Sequence, residues 1–257
     1  MGVKSWLLTR YISLLDRQLR AVARRRPHRV VNLFRDKYLD LIVRGISDRK
    51  FHAWDFDSVP KEINGFEDLS FLFWNTPINR GMARLDFDEA SSIFRIVSTI
   101  QDPHGVEIGR FAGGSTLLLS AAIGESGNLD SIDIGPFDDQ TLREVLRRAG
   151  TLARVALHVA DANDVDLDDD LDFVFIDGDH SYEGAKKDHL KWGAKVKVGG
   201  FILHHDMGSS RPHSIQWSSL ETLLSDIRLH QANELELSLE KGSLVVFRRT
   251  SDTWTQF

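Results

Sequence analysis

The chain has 257 residues, 42% of them hydrophobic and 27% charged, the balance of an ordinary globular protein. It has no cysteine, which excludes disulfides, thiolate zinc sites and a cysteine nucleophile. The net charge of −6 is uneven: residues 1–50 hold 13 Lys/Arg against 4 Asp/Glu, a balance of +9, and the rest carries −15. The two parts therefore attract each other or meet different partners.

No apolar run reaches the length of a membrane span. The stretch 3–15 is interrupted by Arg10, and the tract Arg24, Arg25, Arg26 stands where a small-residue cleavage site would follow. The expectation is an uncleaved, cytoplasmic protein without stable membrane insertion.

In chain order, residues 3–26 have the spacing of a basic amphipathic helix, with Trp6, Leu7, Tyr11, Leu14, Leu15, Leu19 and Val22 on one side. Pro27 ends it, and a second helix is predicted over 28–43. Packing or homo-oligomerisation, as a dimer, is the expected role of these helices. Residues 50–82 are aromatic and irregular, with Trp54, Phe56, Phe66, Phe71, Phe73 and Trp74, and are expected as a loop-rich cover. Together 1–82 are predicted as a basic helical extension and aromatic cover, and 83–257 as the main domain.

That domain opens with a helix predicted over 86–100. Apolar strands follow at 105–108, 129–134, 155–159, 171–176 and 200–204. Helices are predicted between them near 115–123, 139–149 and 182–196. This alternation predicts an α/β domain with a parallel sheet covered on both faces. After a helix at 214–230, strands at 234–239 and 243–248 flank Lys241-Gly242, the signature of an antiparallel hairpin.

The first strand runs into Val106-Glu107-Ile108-Gly109-Arg110-Phe111-Ala112-Gly113-Gly114-Ser115-Thr116. Gly109 and Gly113 permit a sharp turn and close approach of backbone to a ligand, and Ser115 or Thr116 suits the cap of the next helix. Arg110 and Phe111 break the dinucleotide pattern G-x-G-x-x-G, which disfavours a NAD-dependent oxidoreductase. The segment resembles instead the class I methyltransferase motif, an acidic residue before glycine at the end of the first strand. That resemblance implies S-adenosylmethionine, with Glu107 near its amino group. Asp133 lies 24 residues beyond Gly109, the spacing of a ribose-binding acid. Asp161 stands where the family often touches the adenine, although a helix-capping role suits it nearly as well.

The reactive end is Asp177-Gly178-Asp179-His180-Ser181-Tyr182 after the fourth strand, and His204-His205-Asp206 after the fifth. Ligands in open α/β sheets lie beyond the carboxyl ends of the strands. Asp177, His205 and Asp206 are therefore predicted to converge, a donor set that suits Mg²⁺ or Mn²⁺. His180 is the candidate general base, since an imidazole near pKa ~6.5 takes a proton at neutral pH; the alternative is that it caps the next helix. Asp177-Gly178-Asp179-His180-Ser181-Tyr182-Glu183-Gly184, with Gly199-Gly200 and His205-Asp206, resembles the metal-dependent small-molecule O-methyltransferases of the catechol and sugar type. The resemblance spans about residues 75–250. It implies a Rossmann-like seven-stranded, mostly parallel sheet with an antiparallel C-terminal hairpin, S-adenosylmethionine bound at Glu107, Gly109, Gly113, Ser115, Asp133, Asp161 and Asp177, and metal at Asp177, His205 and Asp206. It also implies a hydroxylated acceptor, such as a sugar in natural product biosynthesis, whose pocket residues 54–74 and 209–217 would help shape. The family often carries a carboxylate or asparagine where His205 stands. The rival classes are a nucleic-acid methyltransferase, disfavoured because an acidic domain repels phosphate, and a non-catalytic protein that keeps the fold.

Overall fold

The structure is a computed structural model and describes residues 54–73, 82–135, 137–167, 170–207 and 215–257. The predicted helices at 3–26 and 28–43 lie outside the described residues, as do Trp74 and most of 209–217. Among the described residues, no helix is long and apolar enough to cross a membrane.

A short 3-10 helix, Phe66–Phe73, precedes helix α1 (Phe87–Val97). Then come β1 (His104–Ile108), α2 (Gly114–Ala122), β2 (Asn128–Asp133), α3 (Asp139–Arg148), β3 (Val155–Val159), β4 (Leu171–Ile176), α4 (Tyr182–Lys195) and β5 (Val196–His204). Helix α5 (Ile215–His230) leads to the hairpin β6 (Leu235–Lys241) and β7 (Leu244–Arg249). The seven strands are ordered β3-β2-β1-β4-β5-β7-β6. β1 to β5 are mutually parallel, and β7 runs antiparallel to both β5 and β6. This is the Rossmann-like class I methyltransferase fold.

Strand β4 shows why the sheet forms. Its sequence LDFVFI is buried at every position, as a central strand covered on two faces must be. One face packs on α1, α2 and α3 through Ile93, Leu117, Leu118, Val145, Phe173 and Phe175. The other packs on α4 and α5 through Ile108, Val174, Ile176, Trp192, Leu223 and Ile227. Residues 54–73 are more than a cover: Val59, Leu69 and Leu72 are buried in the first of these clusters. An apolar stretch that loses this much surface is part of the core.

The register places the site. Ile108 pairs with Ile132 and Ile176, and Ile176 with His204. The next residue of each strand therefore stands on one rim: Asp133, Gly109, Asp177 and His205. Ladder hydrogen bonds fix that rim, from Gly109 N–H to the Ile132 carbonyl (2.9 Å), Asp177 N–H to Ile108 (2.9 Å) and His205 N–H to Ile176 (3.0 Å). The order reverses between β1 and β4, so a crevice opens at the switch point, where doubly wound sheets bind ligands.

Candidate active site

A cleft of about 880 Å³ follows this rim, from Phe111, Asp133 and Asp161 at one end to Asp177, His180 and Asp206 at the other. Gly109, Ser115, Asp133, Asp161, Asp177, His180, His205 and Asp206 all line it. Ile134, an apolar side chain left 74% exposed, lines it too.

Glu107 and Gly113 are not on the wall. Glu107 is fully buried and accepts from the hydroxyls of Thr116 and Ser131, both at 2.6 Å. Burial pushes its carboxyl up, against the hydrogen bonds of Ser115, Ser131 and Thr116. It faces α2 inside the core rather than the cleft. The helix cap is Gly113, in the left-handed region, rather than Ser115 or Thr116, which lie inside α2. Their hydroxyls turn to Glu107 instead of to the cap.

Arg110, which breaks the dinucleotide pattern, is the clamp of this loop. It is 1% exposed. Its Nε and Nη2 grip Asp139 at 2.8 and 2.5 Å, and Nη1 donates to the Ser131 (3.0 Å) and His158 (2.8 Å) carbonyls. Such bidentate pairing fixes both partners in a plane. Asp133 accepts from Phe111 N–H (2.9 Å) and Gly135 N–H (2.8 Å), so it too holds the loop. Asp161 closes a local turn on Asn163, accepting its backbone N–H at 2.8 Å, which lowers the carboxyl's pKa.

At the reactive end, oxygen or nitrogen atoms of Asp177, His180 and Asp206 come within 4.8 Å of one another. His180 Nε2 is 3.2 Å from Asp206 Oδ2 and 3.8 Å from Asp177 Oδ1. The Asp206 hydrogen bond raises the His180 pKa, burial opposes it, and Asp177 adds to the rise. His180 does not cap α4. That cap is Ser181, whose hydroxyl accepts from Gly184 N–H at 3.1 Å.

His205 stands differently from its expected place as a metal ligand. It is 4% exposed. Nδ1 meets Asp177 Oδ1 at 3.0 Å, and Nε2 meets Glu89 Oε2 at 3.3 Å. Burial would strip its proton, but the charge and hydrogen bond of Asp177 and the hydrogen bond of Glu89 outweigh that and push it up to about 10. A carboxylate at each ring nitrogen holds His205 between Glu89 and Asp177. Neighbouring side chains along a strand face opposite ways, so His204 does not share the face that His205 presents to the cleft. His204 instead meets His189 Nδ1 at 3.0 Å on the α4 side.

The sequence reading did not single out Glu89, Ser243 or Asp188. Glu89 is fully buried and accepts from Ser243 N–H (2.5 Å), the Ser243 hydroxyl (2.9 Å) and Asp86 N–H (2.9 Å). Burial would raise its carboxyl, but the hydrogen bonds from His205, Ser243 and Asp86 together hold it at about 2. Only the Asp86-x-x-Glu89 spacing, a capping-box signature, is legible locally.

A glycine turn at the end of β1, an acid at the end of β2 and a carboxylate–imidazole cluster at the ends of β4 and β5 line the rim where a class I methyltransferase fold opens its crevice. Residues 106–207 match the family model of the Methyltransf_24 family, described as a methyltransferase domain. The chain is similar to the cofactor-bound Rv0187 from MTB, with a TM-score of 0.55 and 18% identity over 64% of this chain and 81% of that one. It is similar to the O-methyltransferase from Bacillus cereus in complex with SAH (TM-score 0.50, 15% identity, 64% and 82% covered). It is also similar to the O-methyltransferase TomG from Streptomyces achromogenes, involved in tomaymycin synthesis, in complex with SAM (TM-score 0.53, 14% identity, 80% and 100% covered).

Proposed function

We propose that this protein transfers the methyl group of S-adenosylmethionine to a hydroxyl of a small molecule, a sugar or a similar acceptor, with His180 as general base. The observation that carries the reading is the single cleft that joins the glycine turn to the Asp177–His180–Asp206 cluster. Its volume is that of a small-molecule site. The similar proteins from Bacillus cereus and Streptomyces achromogenes are O-methyltransferases bound to SAH and SAM, which supports the cofactor and the reaction. Carboxylates line the cleft at Asp133, Asp161, Asp177, Asp179, Asp188 and Asp206, a wall that disfavours a phosphate backbone.

Methyl transfer is a displacement in line: the acceptor oxygen attacks the methyl carbon and the carbon–sulfur bond breaks. Binding residues contribute by holding oxygen, carbon and sulfur in line. Asp133 orients the ribose end, and the rim at Gly109 and Asp177 takes the methionyl end. His180 takes the hydroxyl proton on its imidazole, and Asp206 and Asp177 stabilise the imidazolium that results. The donors Asp177 and Asp206 fit a hard divalent cation such as Mg²⁺ or Mn²⁺. Such an ion, when bound, would lower the pKa of the acceptor hydroxyl.

The test is the thermal shift of the purified protein with S-adenosylhomocysteine, with Mg²⁺ and with both, followed by an acceptor screen with hydroxylated sugars. Stabilisation by the cofactor product, increased by Mg²⁺, is the expected result. Stabilisation by the cofactor product alone removes the metal. No stabilisation overturns the reading, and binding without turnover on any acceptor leaves a non-catalytic protein that keeps the fold.

A further inference from the structure

Helix α4 places a carboxyl in the cleft wall that the mechanism above does not use. Ala185, Asp188, His189 and Trp192 recur at helical spacing and are all buried, so Asp188 stands in an otherwise core-facing stripe. It is 5% exposed, and it lines the cleft. Oδ1 accepts from Asn163 Nδ2 at 3.3 Å, and Asn163 in turn is tied to Asp161 at 3.1 Å. Oδ2 accepts no hydrogen bond among the described residues. It is turned toward Gly178, where an added Cβ would lie 3.4 Å from it. Lys191, whose charge acts on it, spends its ammonium on the carbonyls of Ala162 (2.9 Å), Asn163 (2.7 Å) and Val165 (2.6 Å).

The side chain is almost wholly buried while this oxygen opens on the cleft, so a ligand seated there meets an acceptor that calls for a donor. Two features limit which donor. The residue lies beside the Asp161–Asn163 turn that follows β3. Ile134, on the same cleft, offers an exposed apolar surface for a flat ring. An aromatic heterocycle with an exocyclic amine satisfies both, with its face on Ile134 and its edge at Asp188.

We infer that Asp188 reads the amine edge of the cofactor's adenine, and that this helix residue, rather than the solvent-facing Asp161, sets selectivity for adenosyl over other nucleosyl groups. Asp161 is committed to its own turn, through both the backbone N–H and the side chain of Asn163. Burial, with the nearby charge of Asp161, holds the Asp188 carboxyl up at about 6, so near neutral pH it can accept from the amine or donate to a ring nitrogen. The inference rests on the proposed cofactor, and the experiment separates the two.

The experiment is calorimetric titration of the full chain with S-adenosylhomocysteine and with S-inosylhomocysteine, in which a carbonyl replaces the amine. The wild type is expected to prefer the adenosyl compound by about tenfold or more, because a site built to hydrogen-bond a group rejects the analogue that lacks it. In Asp188→Ala the preference should fall to near unity. In Asp188→Asn, whose amide can donate to the carbonyl, it should shift toward the inosyl compound. Because the readout is a ratio, partial loss of folded protein leaves it intact. Equal affinity of the wild type for both, or an unchanged ratio in both variants, overturns the inference while the cofactor stands. A wild type that binds neither compound overturns the cofactor reading and the inference with it.

Discussion

Glu89, in the first turn of α1, and His205, at the end of β5, lie 116 positions apart and meet inside the protein with 3.3 Å between Oε2 and Nε2. The contact ties the entry helix to the strand that ends at the site. On its other ring nitrogen His205 holds Asp177, so a row of carboxylate, imidazolium and carboxylate crosses from the core to the cleft. The hairpin turn supplies Ser243 to the same glutamate.

Glu89→Gln should therefore destabilise the protein by about 3 kcal/mol, since removing one partner of a buried pair leaves the other uncompensated. The pH dependence has a definite sign. His205 is raised from 6.5 to about 10 on folding, so its contribution is complete below 6.5 and is lost as pH rises toward 10. Urea unfolding from pH 6 to 10 should show the wild type losing stability across that window and Glu89→Gln losing less. Parallel curves for the two proteins would mean that His205 keeps its proton without Glu89.

Arg110 makes a similar prediction at the other end of the cleft. Arg110→Met leaves Asp139 and two backbone carbonyls without a buried donor, at a cost of about 3–5 kcal/mol. Arg110→Lys should recover little, because an ammonium cannot grip a carboxylate bidentately and still reach both carbonyls. The double variant with Asp139→Ala should be destabilised by less than the sum of the singles, as shared partners require. An additive cycle would show that the pair does not act as a unit.

Gly109 and Gly124 separate backbone strain from collision. Both have positive φ, +86° and +70°. A Cβ at Gly124 meets nothing within 4 Å, whereas one at Gly109 runs into the Asp177 carbonyl. Gly124→Ala should cost only the left-handed penalty, about 1 kcal/mol. Gly109→Ala should cost distinctly more and weaken S-adenosylhomocysteine binding, since it pushes β1 from β4 at the rim. Equal losses in the two variants, read by unfolding and calorimetry, would place no close contact there.

Asp188 is predicted to carry a stability cost for its place in the cleft. Burial raises its pKa from 3.8 to about 6. A raised acid favours folding below 3.8 and loses that advantage as pH rises through about 6. Above that, the buried charge costs about 3 kcal/mol by the size of the shift. Asp188→Asn should accordingly be more stable than the wild type at pH 7 to 8 and no more stable near pH 3.5. A variant that is less stable at pH 7 would show that the carboxylate has a compensating partner. Stability gained where ligand selectivity is lost is the usual trade at a functional site.

The fold was legible because its signals are local. The apolar runs before Gly109 and Asp177, the alternation of strands and helices, and the Lys241-Gly242 turn all sit within a few residues. The rim was legible for the same reason, since Asp133 ends its strand and Asp177 directly follows its own. The division of labour between the two histidines was not. Both come near Asp206, at 3.2 Å for His180 and 3.6 Å for His205, and that His205 alone is sealed against Glu89 depends on a helix more than 100 positions away. Arg110 read as a broken motif because its partner, Asp139, belongs to the next helix. Asp188 did leave a local mark, a carboxylate within the 185–188–189–192 stripe, where a core-facing helix carries apolar residues.

His180 carries the last prediction. If it removes the acceptor's proton, His180→Ala should lower kcat by roughly 10²- to 10⁴-fold with S-adenosylhomocysteine affinity nearly unchanged. The rate should also report its ionisation. Asp206 raises the His180 pKa above the ordinary 6.5, and only the neutral imidazole can accept a proton, so kcat/KM should climb with pH through a value above 6.5. Asp206→Asn removes the first cause of that rise, and the midpoint of the profile should move to lower pH whatever happens to its height. A metal role for Asp206 alone would reduce the height and leave the midpoint in place. The midpoint therefore distinguishes a carboxylate that tunes the base from one that only holds a cation.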